Sequence, residues 1–223
     1  TAITVDEGID GYRHETVPKV GELCQRLGLE HVVVSFDEIA GTTLDHMVGR
    51  AGEREACTYC GVFRRRCLNL KAKELEVDVL ALGHNLDDMA QSILMNFMRG
   101  DVERLARLGP HDHVQPGLVP RIQPLRTIPE KETYLYALLN DLPFSEAECP
   151  YAEHALRNEY RRIVDDMEFR HPGTRHSILG SYDRLRPLMK GGLPQATLGR
   201  CSCGEPTLNE RCMACEMLER LKK

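Results

Sequence analysis

Three short β-branched runs alternate with helical patterns over the first hundred residues, and this alternation constrains the fold more than any other feature. Residues 2–6 (Ala-Ile-Thr-Val-Asp), 31–36 and 77–82 are apolar and too short for helices. Between them, residues 15–28 read as a helix closed by Gly28, a further helix follows Thr43, and another begins near Cys60 and runs through Arg64 to Leu75. Residues 86–98 follow the third run as a strongly apolar helix. Strand, helix, strand, helix in this order predicts an α/β fold with a doubly wound, mainly parallel sheet. Residues 110–129 are rich in Pro, Gly and His and read as loop, with a short strand near 121–124. Helices are expected at about 130–140, 152–169 and 175–188, with a linker at residues 191–194 (Gly-Gly-Leu-Pro).

Composition narrows the class. The 223 residues suffice for one sizeable core and a small appendage. No apolar run approaches the roughly 20 residues of a membrane helix, and no signal peptide is visible. The net charge of −5 means that any contact with nucleic acid relies on local basic patches. Nine cysteines in Cys-x-x-Cys and Cys-x-Cys spacings within an α/β pattern favour a reduced, cytoplasmic, metal-binding protein over a disulfide scaffold. The chain opens at Thr1 in the middle of a strand, which reads as a sequence lacking its true N-terminus.

Two sets of cysteines stand out. Cys57 and Cys60 form a Cys-x-x-Cys pair, and Cys149 lies far downstream in Glu148-Cys149-Pro150-Tyr151. Three thiolates suit zinc or an iron–sulfur cluster with one open position. The competing reading is a redox dithiol, or half of a structural zinc site, with Cys149 merely buried. Cys67 is an alternative third ligand, but in a helix it lies roughly 10 Å along the axis from Cys60, so Cys149 is preferred. The second set is Cys201, Cys203, Cys212 and Cys215, two close pairs around a turn holding Gly204 and Pro206. It reads as a zinc knuckle, because so short a segment needs a staple to fold. Cys24 and Cys67 sit in apolar helical patterns and read as core.

Gly83-His84-Asn85-Leu86-Asp87-Asp88 joins the third strand to its helix. Ligands of open parallel sheets bind beyond such strand ends. Gly83 permits close approach, Asn85 or Asp87 can cap the helix, and Asp87 and Asp88 could hold Mg²⁺. The plain alternative is an ordinary N-cap with acidic first-turn residues. His111 and His113 could be ligands, but in such a loop they are more often exposed. Arg64-Arg65-Arg66 follows the Cys-x-x-Cys directly, and Arg121, Arg126, Lys131, Arg157, Arg161 and Arg162 add basic positions. Such residues hold phosphate backbones, although a charge run is usually a solvated face.

Together, Cys57-x-x-Cys60-Gly61 followed by arginines, Gly83-His84-Asn85-Leu86-Asp87-Asp88, the stretch from Arg121 through Arg126 to Glu132, and Glu148-Cys149-Pro150-Tyr151 resemble the tRNA 2-thiouridine synthetases of the TtuA / cytoplasmic tRNA 2-thiolation family. The resemblance spans nearly the whole chain and implies an adenine nucleotide α-hydrolase-like fold. It implies residues 1–195 as a nucleotide-binding, catalytic domain and residues 196–223 as a C-terminal zinc finger. It further implies a sulfurtransferase that uses ATP, with Mg²⁺, to adenylate the C2 oxygen of a uridine in tRNA and then displaces AMP with sulfur. Cys57, Cys60 and Cys149 would hold a [4Fe–4S] cluster whose open iron carries sulfide. Arg64, Asp87 and Asp88 would serve catalysis, while Asp6, Arg65, Gly83, His84 and Asn85 would contact the nucleotide. Cys201, Cys203, Cys212 and Cys215 would bind Zn²⁺. The implied partners are tRNA, a ubiquitin-like thiocarboxylate sulfur carrier and a second copy of the chain, with no membrane.

The chain departs from the family pattern in two places. The phosphate-gripping Ser-Gly-Gly-Lys-Asp-Ser loop and the N-terminal zinc finger would lie before residue 1, so the chain as it stands should bind ATP poorly. Arg200 occupies the place of the first knuckle cysteine, so Cys201 must substitute for it. The alternatives are a tRNA 2-thiocytidine synthetase and a non-catalytic zinc- and RNA-binding scaffold.

Overall fold

The computed structural model describes residues 1–110, 115–193 and 197–222. It begins with β1 (Ala2–Asp6), α1 (Arg13–Arg26), β2 (His31–Ser35), α2 (Phe36–Ala40) and α3 (Leu44–Ala51). A single 3₁₀ turn, Glu53–Glu55, then winds directly into the 19-residue α4 (Ala56–Glu74). Next come β3 (Leu80–Ala81), α5 (Leu86–Met98), α6 (Val102–Ala106), β4 (Arg121–Ile122) and α7 (Glu130–Leu139). A second 3₁₀ turn, Pro150–His154, leads into α8 (Leu156–Arg170) and α9 (Thr174–Gly192). The C-terminal segment holds β5 (Gly199–Arg200), β6 (Pro206–Thr207) and α10 (Met213–Arg220).

The strands that carry the site are parallel, as the alternation predicts. β1 runs beside β2 from Ala2 opposite His31 to Asp6 opposite Ser35, and β3 runs beside β4 with Leu80 opposite Arg121. Because side chains alternate along a strand, Val5 and Val34 enter the core with Phe63 of α4. Thr4 and His31 point the other way, share a 2.9 Å hydrogen bond and lie under Gly21 of α1. Helices therefore cover both faces of the β1–β2 pair. Among the described residues the two parallel pairs are not joined by a ladder, and Ile3 packs against the core clusters of both.

The main core centres on Phe36 and Phe63, whose rings sit 5.8 Å apart, with Leu44, Met47 and Val48 of α3 around them. Each such ring, fully buried, contributes about 1.5–3 kcal/mol. Cys201, Cys212, Ala214, Met217 and Leu221 belong to the same cluster. The C-terminal segment is thus packed onto α3 and α4. Gly117 explains part of this seating: at φ +87° its missing Cβ leaves room for Pro206, which a side chain would meet at 2.7 Å. A second cluster joins Leu86, Met89 and Ile93 of α5 to Leu179 and Tyr182 of α9.

Several boundaries differ from the sequence reading. α4 starts at Ala56, four residues before Cys60, because the buried stripe Ala56, Tyr59, Phe63, Cys67 already follows helical spacing. β2 stops at Ser35, whose hydroxyl caps α2 by accepting from Glu38 N–H at 3.0 Å. The third strand pairs only at Leu80–Ala81. α9 continues through Pro187 to Gly192, so the first half of the expected linker is helical. Pro194, the 195/196 domain boundary, His111 and His113 lie outside the described residues.

Candidate metal centre and nucleotide turn

α4 organises the site. Residues on a helix turn by about 100° each, so the three consecutive arginines face three directions. Cys57, Cys60 and Arg64 follow i, i+3, i+7 spacing and share one face. There Arg64 Nη2 donates to Cys60 Sγ at 3.3 Å. Arg66, two positions on, instead turns toward the C-terminal segment, where Cys203, Glu205 and Cys212 bear on its charge.

Cys149 ends the long loop before the 3₁₀ turn Pro150–His154. Tyr151 pins that turn by donating its hydroxyl to Asp45 of α3 at 2.7 Å. Cys60, Cys149 and Tyr151 all pack against the main core. Cys149 therefore lies near enough to Cys57 and Cys60 for its charge to bear on both, whereas among the described residues only the four C-terminal cysteines bring their thiols within 4.8 Å of one another. Burial pushes the Cys60 thiol up to about 11, with the Arg64 guanidinium opposing. Partial burial, then Cys149, push Cys57 up as well. Thiols raised in this way ionise when a metal ion supplies compensating positive charge. Cys67 is fully buried with its thiol toward the Ser35 carbonyl, and Cys24 is buried in α1, so both are core residues.

Glu7, at the end of β1, is a residue of this site that the sequence reading did not single out. Its side chain is fully buried. Arg13 grips it through Nε and Nη2, both at 2.7 Å, and Arg64 Nη2 reaches it at the same distance. Burial alone would raise the Glu7 carboxyl, but Arg13 and Arg64 outweigh it and hold the group below its ordinary value. The inward turn depends on Gly8 at φ +68°, where a Cβ would strike the Thr43 side chain at 2.7 Å. Asp6 accepts the Gly8 N–H at 2.9 Å, which shapes the same turn. The recoverable signal was Glu7 at the carboxyl end of β1 with Arg13 six residues on.

The turn after β3 forms a capping box: Asn85 Oδ1 accepts from Asp88 N–H at 2.9 Å and Asp88 Oδ2 accepts from Asn85 N–H at 3.2 Å. Asp88 also pairs with Arg157 at 2.8 Å. Asp87 turns elsewhere. One oxygen accepts from Glu130 N–H at the start of α7, and the other meets Arg175 of α9 at 2.7 Å. With both oxygens engaged and the residue only 6% exposed, Asp87 ties α5 to α7 and α9. Both carboxylates are thus engaged within the protein, Asp88 in the cap and with Arg157, Asp87 in tying the helices together. A Cβ on Gly83 would meet open space. His84 Nδ1 is buried without a protein partner. Burial, followed by Arg157, Arg121 and Arg64 against an opposing Asp88, lowers the His84 pKa.

The thiols of Cys201, Cys203, Cys212 and Cys215 all lie within 4.8 Å of one another. Tetrahedral Zn–S bonds of 2.3 Å place sulfurs about 3.8 Å apart, so the set fits one zinc ion. Cys201 takes part although it breaks the usual spacing. The Cys203 and Cys212 N–H groups hold its thiol down at about 6.

Residues 1–167 match a family model described as a PP-loop domain. The tRNA 2-thiolation protein NcsA of Haloferax volcanii is 40% identical over 99% of this chain and 73% of its own length. The cytoplasmic tRNA 2-thiolation protein 1 of Danio rerio is 37% identical over 99% of the chain and 65% of its own length. This chain belongs to the PP-loop tRNA 2-thiolation family. A probable sulfurtransferase of Methanocaldococcus jannaschii is 35% identical and is likewise covered over 65% of its length. Among solved structures, the U34-tRNA thiolase NcsA from Methanococcus maripaludis with its [4Fe–4S] cluster matches 99% of this chain and 70% of its own, at a TM-score of 0.82 and 38% identity. No described helix is long and apolar enough to cross a membrane.

Proposed function

We propose that this chain is the sulfur-transferring part of an ATP-dependent tRNA uridine 2-thiolase. The observation that carries the reading is that Cys149, from a distant loop, lies within electrostatic reach of Cys57 and Cys60 on α4. We assign these three thiols to a [4Fe–4S] cluster, which when bound keeps sulfide deprotonated and available as a nucleophile. The donor set fits: three soft ligands, and a guanidinium donating to one of them. The four C-terminal thiols are assigned to Zn²⁺.

The chemistry proceeds in two displacements. The uridine C2 oxygen attacks the α-phosphorus of ATP and pyrophosphate leaves. Sulfur then bonds to C2 as the C2–O bond breaks and AMP leaves. Glu7 holds Arg64 against Cys60, fixing a positive charge where anionic sulfur gathers. Asn85 and Asp88 cap α5, keeping its first N–H groups at the strand end where Mg²⁺-ATP binds; Arg157 steadies Asp88. Neutral His84, with Nδ1 unpartnered, faces the ligand from Gly83-His84-Asn85. Asp6 and Arg65 complete the nucleotide side. The sulfur donor is a ubiquitin-like thiocarboxylate carrier, and the setting is cytoplasmic. A second copy of the chain covers α7, where Tyr134, Leu135, Tyr136, Leu138 and Leu139 are all exposed.

The test is nucleoside analysis of tRNA incubated with the full-length holo-protein, ATP and a sulfide source. 2-Thiouridine is the expected product. Formation of 2-thiocytidine instead, or no thiolated nucleoside at all, would overturn the reading in favour of a cytidine enzyme or a zinc-bearing scaffold.

A further inference from the structure

Arg157 ties the loop that carries Cys149 to the turn that carries Asn85 and Asp88. The chain from Cys149 into α8 is one hydrogen-bonded unit. The Cys149 carbonyl accepts from Ala152 N–H at 2.9 Å, and the Ala152 carbonyl accepts from Ala155 N–H at 3.0 Å. Ala155, at the head of α8, offers no side-chain cap. Asn158 closes the unit instead by donating its amide to the Ala152 carbonyl at 2.6 Å. Arg157 projects from the first turn of α8. One guanidinium nitrogen donates to Asp88 Oδ1 at 2.8 Å and the other to Ser92 Oγ at 3.1 Å. Asp88 and Ser92 stand four apart on one face of α5, so the fork spans the first two turns of that helix. Ser92 is buried, and both charged side chains are partly buried. Local preference does not place this arginine, because a cation in the first turn opposes the dipole of α8; its partners on α5 offset that cost. At the other end, Tyr151 fixes the unit to α3. The guanidinium is also near enough for its charge to favour the Cys57 thiolate and to disfavour a charged His84.

Two displacements on one uridine need the nucleotide and the sulfur held in a fixed relation. A planar guanidinium fork fixes its two partners in one geometry, and here it joins the elements that carry the two sites. We propose that Arg157 is a positioning residue that couples the thiol trio to the nucleotide turn, so that filling one site favours filling the other. It acts through Cys149 and Asp88 rather than on the reacting atoms. The inference rests on the reading of the trio as a cluster site and of the turn as an ATP site, but it is measured by binding, without turnover.

The experiment measures the ATP affinity of the full-length protein with and without its iron–sulfur cluster, for wild type, Arg157→Gln, Arg157→Lys and a control. The control is Arg99→Gln, which removes the same charge from an exposed position at the end of α5. Arg157→Lys keeps the charge but cannot bridge Asp88 and Ser92 together. Thermal midpoints check that each variant folds. Cluster loading should tighten ATP at least about fivefold in wild type and in Arg99→Gln, as for an ordinary coupling between sites. The ratio should fall below about twofold in both Arg157 variants. A residue that only stabilises the fold would weaken ATP equally in the two forms. A wild-type ratio retained by either variant, or a ratio below about twofold in wild type itself, would therefore overturn the coupling. So would an Arg157→Gln loss confined to an unmodified tRNA transcript, with the salt slope lower by about one, which marks a backbone phosphate contact. Wild type that shows the coupling yet forms no thiolated nucleoside would indict the catalytic reading alone. Wild type that takes up no iron would overturn both.

Discussion

Cys149→Ser should reduce 2-thiouridine formation by at least ~10²-fold while leaving the fold in place. Loss of groups that merely support a metal ligand already costs about 10–100-fold, and loss of the ligand itself should exceed that. The fold should survive because Cys149 is only half-buried and its thiol makes no hydrogen bond among the described residues. The Pro150–His154 turn keeps its own anchor, the Tyr151–Asp45 bond. Thermal unfolding should therefore shift by no more than about 4 °C, as for a change within about 1 kcal/mol. Nucleoside analysis of tRNA reads the first effect and calorimetry the second. Wild-type-like thiolation by Cys149→Ser would remove this cysteine from the site.

Glu7→Ala should have the largest effect on stability. The substitution deletes a fully buried carboxylate and strands Arg13, whose side chain is 20% exposed, together with half-exposed Arg64. Breaking a buried pair by removing one partner costs about 3–5 kcal/mol. The exposure of Arg64 places this case near the lower end, at about 3 kcal/mol. The acid side gives a second signature. The Glu7 carboxyl is depressed in the folded state, so its contribution is present above the unfolded value near 4.3 and is lost as pH falls through the folded value. Glu7→Gln, which keeps the shape but cannot titrate, should show a shallower loss of stability below pH ~4 than wild type. Urea unfolding from pH 3 to 7 tests both variants. An unchanged midpoint for Glu7→Ala would mean that the Arg13–Glu7–Arg64 clamp is not formed in solution.

The parallel strands, the helices of the first hundred residues and the Asn85 cap were legible because local pattern sets them: β-branched runs, a 3.6-residue period and a polar residue before an apolar helix. The family was legible too, because its motifs are spread along the whole chain. Long-range packing sets the rest. The sequence reading preferred Cys149 as third ligand, but the Tyr151–Asp45 contact that anchors its loop joins residues 106 apart and leaves no local trace. Local pattern alone did not mark Glu7 as buried; its inward turn depends on the close approach of Gly8 to Thr43. Helical rotation divides the Arg64-Arg65-Arg66 run between the Glu7 clamp, the turn of α4 over Gly61 and the side toward the C-terminal segment. Asp87 and Asp88 are equivalent in sequence, whereas packing gives the first to α7 and α9 and the second to the Asn85 cap and Arg157. Cys201 joins its set despite the shortened spacing because the β5–β6 hairpin, with Gly204 at φ +88°, folds the segment back on itself.

The most direct test of the central claim is the iron, acid-labile sulfide and zinc content of the anaerobically purified full-length protein, with its absorption spectrum. The account predicts about four irons and four sulfides for Cys57, Cys60 and Cys149, and about one zinc for the C-terminal knuckle, with any further zinc traceable to residues outside this chain. Iron and sulfide should be lost in Cys149→Ser while the knuckle zinc stays. Zinc alone, with no iron after anaerobic reconstitution, would contradict the account and leave the three thiols a structural or cluster-independent role.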